Sequence, residues 1–149
     1  MQVAIASDHA GFELKEKLKA HFNQIDWLDL GTNSEASVDY PQFGFAMGEA
    51  ISEGRAAKGV VICGSGIGIS IAANRFPSVR AALCMDATMA RLSRQHNDAN
   101  VLALGARLVG IEVAQECVAV FLSLPFEELR HQRRIDMLKW DPQERPSTS

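Results

Sequence analysis

The sequence predicts an α/β fold: an open, doubly wound, mostly parallel five-stranded sheet with helices on both faces and an extra C-terminal helix. Three observations lead there. Short continuous apolar runs alternate about five times with stretches of helical length, the pattern of strands joined by crossover helices. The runs are apolar at consecutive positions, which suits strands covered on both faces. Right-handed crossovers then wind such a chain into an open sheet with two helical layers.

QVAIAS at residues 2–7 is the first strand. GFELKEKLKAHFN (11–23) follows as a helix in which Phe12, Leu14, Leu18 and Phe22 share one face, with lysines and glutamates expected on the other. IDWLDL (25–30) and PQFGFAMGEAISEGR (41–55) supply the second strand and helix, KGVVIC (58–63) and IGISIAANR (67–75) the third pair. VRAALCM (79–85) leads into ATMARLSRQHN (87–97), and NVLALG (100–105) into GIEVAQECVAVFLSL (110–124), which Pro125 ends. ELRHQRRIDMLKW (128–140) reads as a further, basic helix. Residues 1–140 are expected to form one domain. The tail 141–149, DPQERPSTS, lacks apolar content and is expected to be disordered.

The 149 residues suffice to bury a core without staples. A net charge of −3 excludes nucleic-acid binding by bulk electrostatics, so any bound anion needs a local cluster. MQVAIASDHAGF shows no secretion signal, and no apolar stretch reaches the length of a membrane span. Cys63, Cys84 and Cys117 form no CxxC pair, and His9, His21, His96 and His131 show no metal-ligand spacing. Reduced thiols in a cytoplasmic protein, without metal, nucleic-acid partner or membrane, are the expectation.

In doubly wound sheets ligands bind beyond the carboxyl ends of the strands. Asp8 and His9 follow the first strand, Cys63 to Gly68 the third, Asp86 the fourth and Arg107 the fifth. Gly64, Gly66 and Gly68 strip side chains from a turn that opens a helix, exposing backbone N–H groups to an anion. A dinucleotide fingerprint would need its third glycine at position 69, which is Ile69, and would sit on the first strand. A phosphate-binding Walker loop lacks its GK[ST], and a hydrolase elbow lacks the glycines two residues either side of Ser65, where Cys63 and Ile67 stand.

Cys63 is either a small buried residue at a strand end or a base whose thiolate the helix terminus stabilises. His96 is either a helix cap or a proton-transfer group, and the local reading of Asn97 is a left-handed helix terminator. The RHQRR segment is a solvated face unless Arg130 and Arg134, four apart and so facing the same way, clamp a phosphate.

Across SDHAGFELK, DYP, ICGSGIGISIAANR, LSRQHNDANVLALGAR and RHQRR, the chain resembles the ribose-5-phosphate isomerase B family, which includes galactose- and allose-6-phosphate isomerases. The resemblance covers nearly everything but the tail and implies a Rossmann-like sugar-phosphate isomerase domain of the pentose phosphate pathway. It implies that Cys63 moves a proton between C2 and C1 of the open-chain sugar and that His96 assists ring opening. Ser65 helps shuttle the hydroxyl proton, while the amides of Gly64, Gly66, Ile67 and Gly68 hold the enediolate oxygen. Asp8, His9, Tyr40 and Asn97 bind substrate, and Arg107, Arg130 and Arg134 contact the phosphate and polyol. No cofactor is implied. The expected partners are a small sugar phosphate and further copies of the chain, as a homodimer or dimer of dimers with shared sites. Some relatives carry threonine at the position of Ser65. One branch replaces the cysteine with a carboxylate a few residues on, but Ile69, Ser70 and Ile71 place this chain in the cysteine branch. Open alternatives are a six-carbon sugar phosphate as substrate, or a sensor that binds without turnover.

Overall fold

A computed structural model describes residues 2–143. The strands are β1 (Gln2–Ser7), β2 (Asp26–Asp29), β3 (Lys58–Cys63), β4 (Ala81–Leu83) and β5 (Val101–Gly105). Between and after them run α1 (Phe12–His21), α2 (Tyr40–Ser52), α3 (Ile67–Ala73), α4 (Ala87–Gln95), α5 (Ile111–Ser123) and α6 (Glu128–Met137). The sheet has the order β2-β1-β3-β5-β4, and every pair is parallel. The elements expected from the sequence are present, and of the expected tail residues 144–149 lie outside the described residues.

Strand alternation divides the core between two faces. Ile5, Val60, Ile62, Leu102 and Leu104 pack with Leu14, Leu18, Cys117, Val118 and Phe121 from α1 and α5. Ala4, Ala6, Val61, Cys63, Val101 and Ala103 face Met47 and Ile69 from α2 and α3. Smaller strand residues on this second face accompany close packing: a Cβ on Gly44 would lie 2.5 Å from that of Ala72. Cys63 therefore projects toward α2 and α3 at the carboxyl end of a central strand.

The chain leaves β1 for β2 on one side and returns to β3 on the other, so the direction of winding reverses between β1 and β3. That crevice is the expected ligand position of an open sheet. The loops carrying Asp8 and Cys63 both emerge there.

One expectation is corrected. Lys15 does not lie on the solvated face of α1; it is fully buried. Its Nζ donates to both carboxylate oxygens of Asp29, at 2.7 and 2.9 Å, and to Glu16 at 3.1 Å. Lys19 reaches Asp29 at 2.7 Å, and the Gly31 N–H donates to it at 2.9 Å. Helix periodicity identifies lysine as polar but cannot show that a carboxylate from β2 will meet it. Burial pushes the Asp29 carboxyl up, but the hydrogen bonds from Lys15, Lys19 and Gly31 outweigh it and hold the group below its ordinary 3.8.

Asp29→Ala is expected to cost about 3–5 kcal/mol in urea denaturation, because Lys15 stays buried with one partner lost. Lys15→Met, similar in volume, is expected to cost less than about 1.5 kcal/mol. The ion pair's contribution is present at neutral pH and fades as pH falls through the lowered Asp29 value.

Candidate active site

The loop after β3 is built by glycine. Gly66 has φ 77°, and a Cβ there would meet the backbone carbon of Leu104 at 2.8 Å and the Gly105 nitrogen at 3.0 Å. Only glycine fits a positive φ this close to the neighbouring strand. With the loop pressed onto β5, the Gly66 N–H donates to the Cys63 Sγ at 3.1 Å. Such a contact strengthens when the sulfur carries charge. The Ile67 N–H donates to the Ser65 hydroxyl oxygen, also at 3.1 Å.

These two bonds revise the expected anion cradle. The amides of Gly66 and Ile67 are already occupied by side chains of their own loop. The N–H groups of Gly64, Ser65 and Gly68 have no protein acceptor among the described residues, so they are donors available to an oxyanion.

Around this loop the structure gathers most of the expected residues. Asp8 is 6% exposed and ties the β1 end to β3, its N–H donating to the Ile62 carbonyl at 3.2 Å. One carboxylate oxygen accepts the Gly11 N–H at 3.1 Å. His9 Nδ1 lies against the Val38 backbone, 3.1 Å from its N–H and 3.2 Å from its carbonyl oxygen. The Tyr40 ring lies against Gly68, where an added Cβ would sit 2.6 Å from it. Arg107 lies along Gly64, donating its N–H to the Gly64 carbonyl at 2.9 Å; a Cβ on Gly64 would be 3.3 Å from the guanidinium.

Asp86, the remaining rim carboxylate, is an N-cap: it accepts the Met89 N–H at 2.8 Å. Cys84 and Cys117 are structural. Burial pushes their thiols up to about 12 and about 11 respectively, so both stay protonated and unreactive near neutral pH.

The other expected residues lie elsewhere. His96 is the C-cap of α4, and α4 runs back from the carboxyl rim toward the start of β5. The Asn100 carbonyl accepts the Gly59 N–H at 2.9 Å, which fixes this segment at the amino edge of the sheet. The pairing of β3 with β5 puts the Val101 and Cys63 levels four residues apart, about 13 Å along the strands. His96 and Asn97 sit in the turn between α4 and β5 that leads into this edge. α6 joins them: the Glu127 N–H donates to the Gln95 carbonyl at 3.1 Å, and the His131 ring stacks on His96 with centroids 4.4 Å apart. Arg130 and Arg134 share this helix and are exposed. A single chain therefore holds the expected residues in two groups at opposite ends of its sheet. The residue turning the chain after α4 is Asp98, with φ 45°, not Asn97.

His131 carried no assignment from the sequence. The usable signal was Ile135, the buried apolar residue of α6, which marks the inner face of that helix; His131 sits one turn before it and is also buried.

The comparisons with known proteins agree with this architecture. A family model described as Ribose/Galactose Isomerase matches residues 3–138. Ribose-5-phosphate isomerase B of Escherichia coli is 42% identical over 139 residues, covering 92% of this chain and 93% of that protein. The crystal structure of a ribose 5-phosphate isomerase from Thermotoga maritima superposes with a TM-score of 0.90 at 50% identity, covering 93% of this chain and 97% of that one. Ribose-5-phosphate isomerase B from Mycoplasma genitalium, solved with bound ribulose-5-phosphate, has a TM-score of 0.89 at 39% identity and covers 97% of both chains. With its motifs, its sheet order and these matches in agreement, the chain belongs to the ribose/galactose isomerase family and is an isomerase.

Proposed function

We propose that the chain, acting as one domain over residues 1–140, interconverts ribose 5-phosphate and ribulose 5-phosphate, a cytoplasmic step of the pentose phosphate pathway. The observation that carries this reading is the Cys63 loop: a sulfur at a strand end, with the uncommitted amides of Ser65 and Gly68 in the same turn. Relatives named for ribose 5-phosphate, one of them solved with ribulose-5-phosphate, support the pentose substrate.

The Cys63 thiolate takes the proton from C2 of the open-chain aldose, and the electron pair moves into the C1 carbonyl to give a cis-enediolate. The oxyanion is held by the Ser65 and Gly68 N–H groups while the Ser65 hydroxyl passes the O2 proton to O1. The Cys63 thiol then returns its proton to C1, leaving the ketone at C2. Asp8, His9 and Tyr40 hold the sugar beside Cys63. His96 accepts and returns the protons of ring opening, with Asn97 binding a hydroxyl. Arg107, Arg130 and Arg134 take the phosphate and polyol oxygens. No step calls for a cofactor.

Because one chain separates the Cys63 and His96 groups, the reading requires a homodimer, alone or within a dimer of dimers. Each site then takes its Cys63 rim from one protomer and its His96–α6 group from the partner.

The test compares kcat/KM for ribose 5-phosphate, allose 6-phosphate and galactose 6-phosphate with EDTA present. Preference for the pentose by about tenfold or more supports the reading. Preference for a hexose phosphate overturns the substrate assignment, and silence on all three overturns the activity.

A further inference from the structure

We propose that His131 is a positioning residue for ring opening, a buried imidazole platform that fixes the ring plane of His96. The inference rests on the reading in which His96 opens the sugar ring.

His96 ends α4 as its C-cap, half-buried, with its N–H donating to the Leu92 carbonyl at 2.9 Å. Its ring stacks on His131 with centroids 4.4 Å apart and planes 26° apart. His131 is itself held: it is 7% exposed, and its Nε2 accepts the Arg130 Nε–H at 3.2 Å. Ile135, one turn on and 3% exposed, anchors the helix that carries it. The Glu127 N–H bond to Gln95 docks the start of α6 onto the end of α4, so the two rings belong to one rigid corner. The half-buried His96 imidazole is thus backed by a buried one.

Glu127 places a carboxylate oxygen within 4.8 Å of both imidazoles, and Arg130 and Arg134 supply two cations. Burial, the neighbouring His96 and Arg130 lower the His131 pKa, so His131 stays neutral. Two imidazoles in contact do not both accept protons readily. A neutral partner lets His96 take one during ring opening. Two histidines and a carboxylate also have the composition of a divalent-cation site. Here the Arg130 bond occupies Nε2 of His131, and the nearby guanidinium charges oppose a cation, so the geometry favours the positioning role.

Two reactions separate this role from a structural one. Ribose 5-phosphate must open its ring before isomerisation. Ribulose 5-phosphate has its C5 hydroxyl esterified and forms no furanose, so solvent deuterium exchange at its C1 requires only proton transfer at carbon. His131→Ala is expected to lower kcat from ribose 5-phosphate about tenfold or more, with exchange into ribulose 5-phosphate within about twofold of wild type. His131→Phe keeps a flat buried ring and is expected to recover part of the lost kcat. Equal loss in both reactions, no loss in either, or a rise in KM with both rates kept would each overturn the role. Absence of exchange in the wild-type protein would instead contradict the Cys63 reading, so the two failures are distinguishable.

Discussion

Cys63→Ala is expected to lose isomerase activity by at least about 10³-fold, since it removes the group that carries the proton between carbons. The fold should survive. Cys63 is 4% exposed and ends a strand in which Gly59, Val60, Val61 and Ile62 pair on both sides. Truncation removes one sulfur and its bond from Gly66, worth about 1 kcal/mol. Circular dichroism and urea titration of the variant should match wild type within that margin. Cys63→Ser isolates the chemistry: its hydroxyl can accept the Gly66 N–H but is too weakly acidic to supply an anionic base. It should be as inactive as the alanine variant. Iodoacetamide near neutral pH should label Cys63 and spare Cys84 and Cys117, whose thiols burial keeps protonated. Mass spectrometry reads this directly, and bound ribose 5-phosphate should slow the labelling. Activity in Cys63→Ala near that of wild type would remove the mechanism.

His96→Ala is expected to lower kcat from ribose 5-phosphate by about 10²–10³-fold, the usual contribution of a positioned acid–base group. The defect should fall on ring opening and leave proton transfer at carbon in place. Deuterium exchange at C1 of ribulose 5-phosphate should therefore remain when turnover of ribose 5-phosphate has collapsed. Cys63→Ala should abolish both. If His96→Ala loses both reactions equally, His96 serves substrate binding or folding and not ring opening.

The fold was legible because its signals are local and repeated. Apolar runs such as KGVVIC and NVLALG identify strands buried on both faces, and glycines or caps mark where each helix begins. Reading the carboxyl ends of those strands as one rim brought Asp8, Cys63 to Gly68 and Arg107 together correctly. Asp86 lies on the same side but caps its own helix. What was not legible depends on meetings between distant segments. The burial of Lys15 rests on Asp29, fourteen positions away on β2, and the His96–His131 stack spans thirty-five positions. Neither pair has a helical or strand spacing to betray it. The engagement of the Gly66 and Ile67 amides follows from the curl of one loop, which composition does not encode. The motif resemblance carried roles for both half-sites, but only the sheet topology separates them in space.

That separation makes the central claim open to a direct measurement. Purified Cys63→Ala and His96→Ala proteins, each nearly inactive, would be mixed in equal amounts under conditions that exchange subunits, then assayed on ribose 5-phosphate. A hybrid dimer contains one site with both substitutions and one with neither. Statistical pairing then restores about a quarter of wild-type activity, growing with the extent of exchange and absent from either variant alone. No recovery after exchange has been verified by native mass spectrometry would mean that Cys63 and His96 of one chain do not work with those of another, contradicting the shared site.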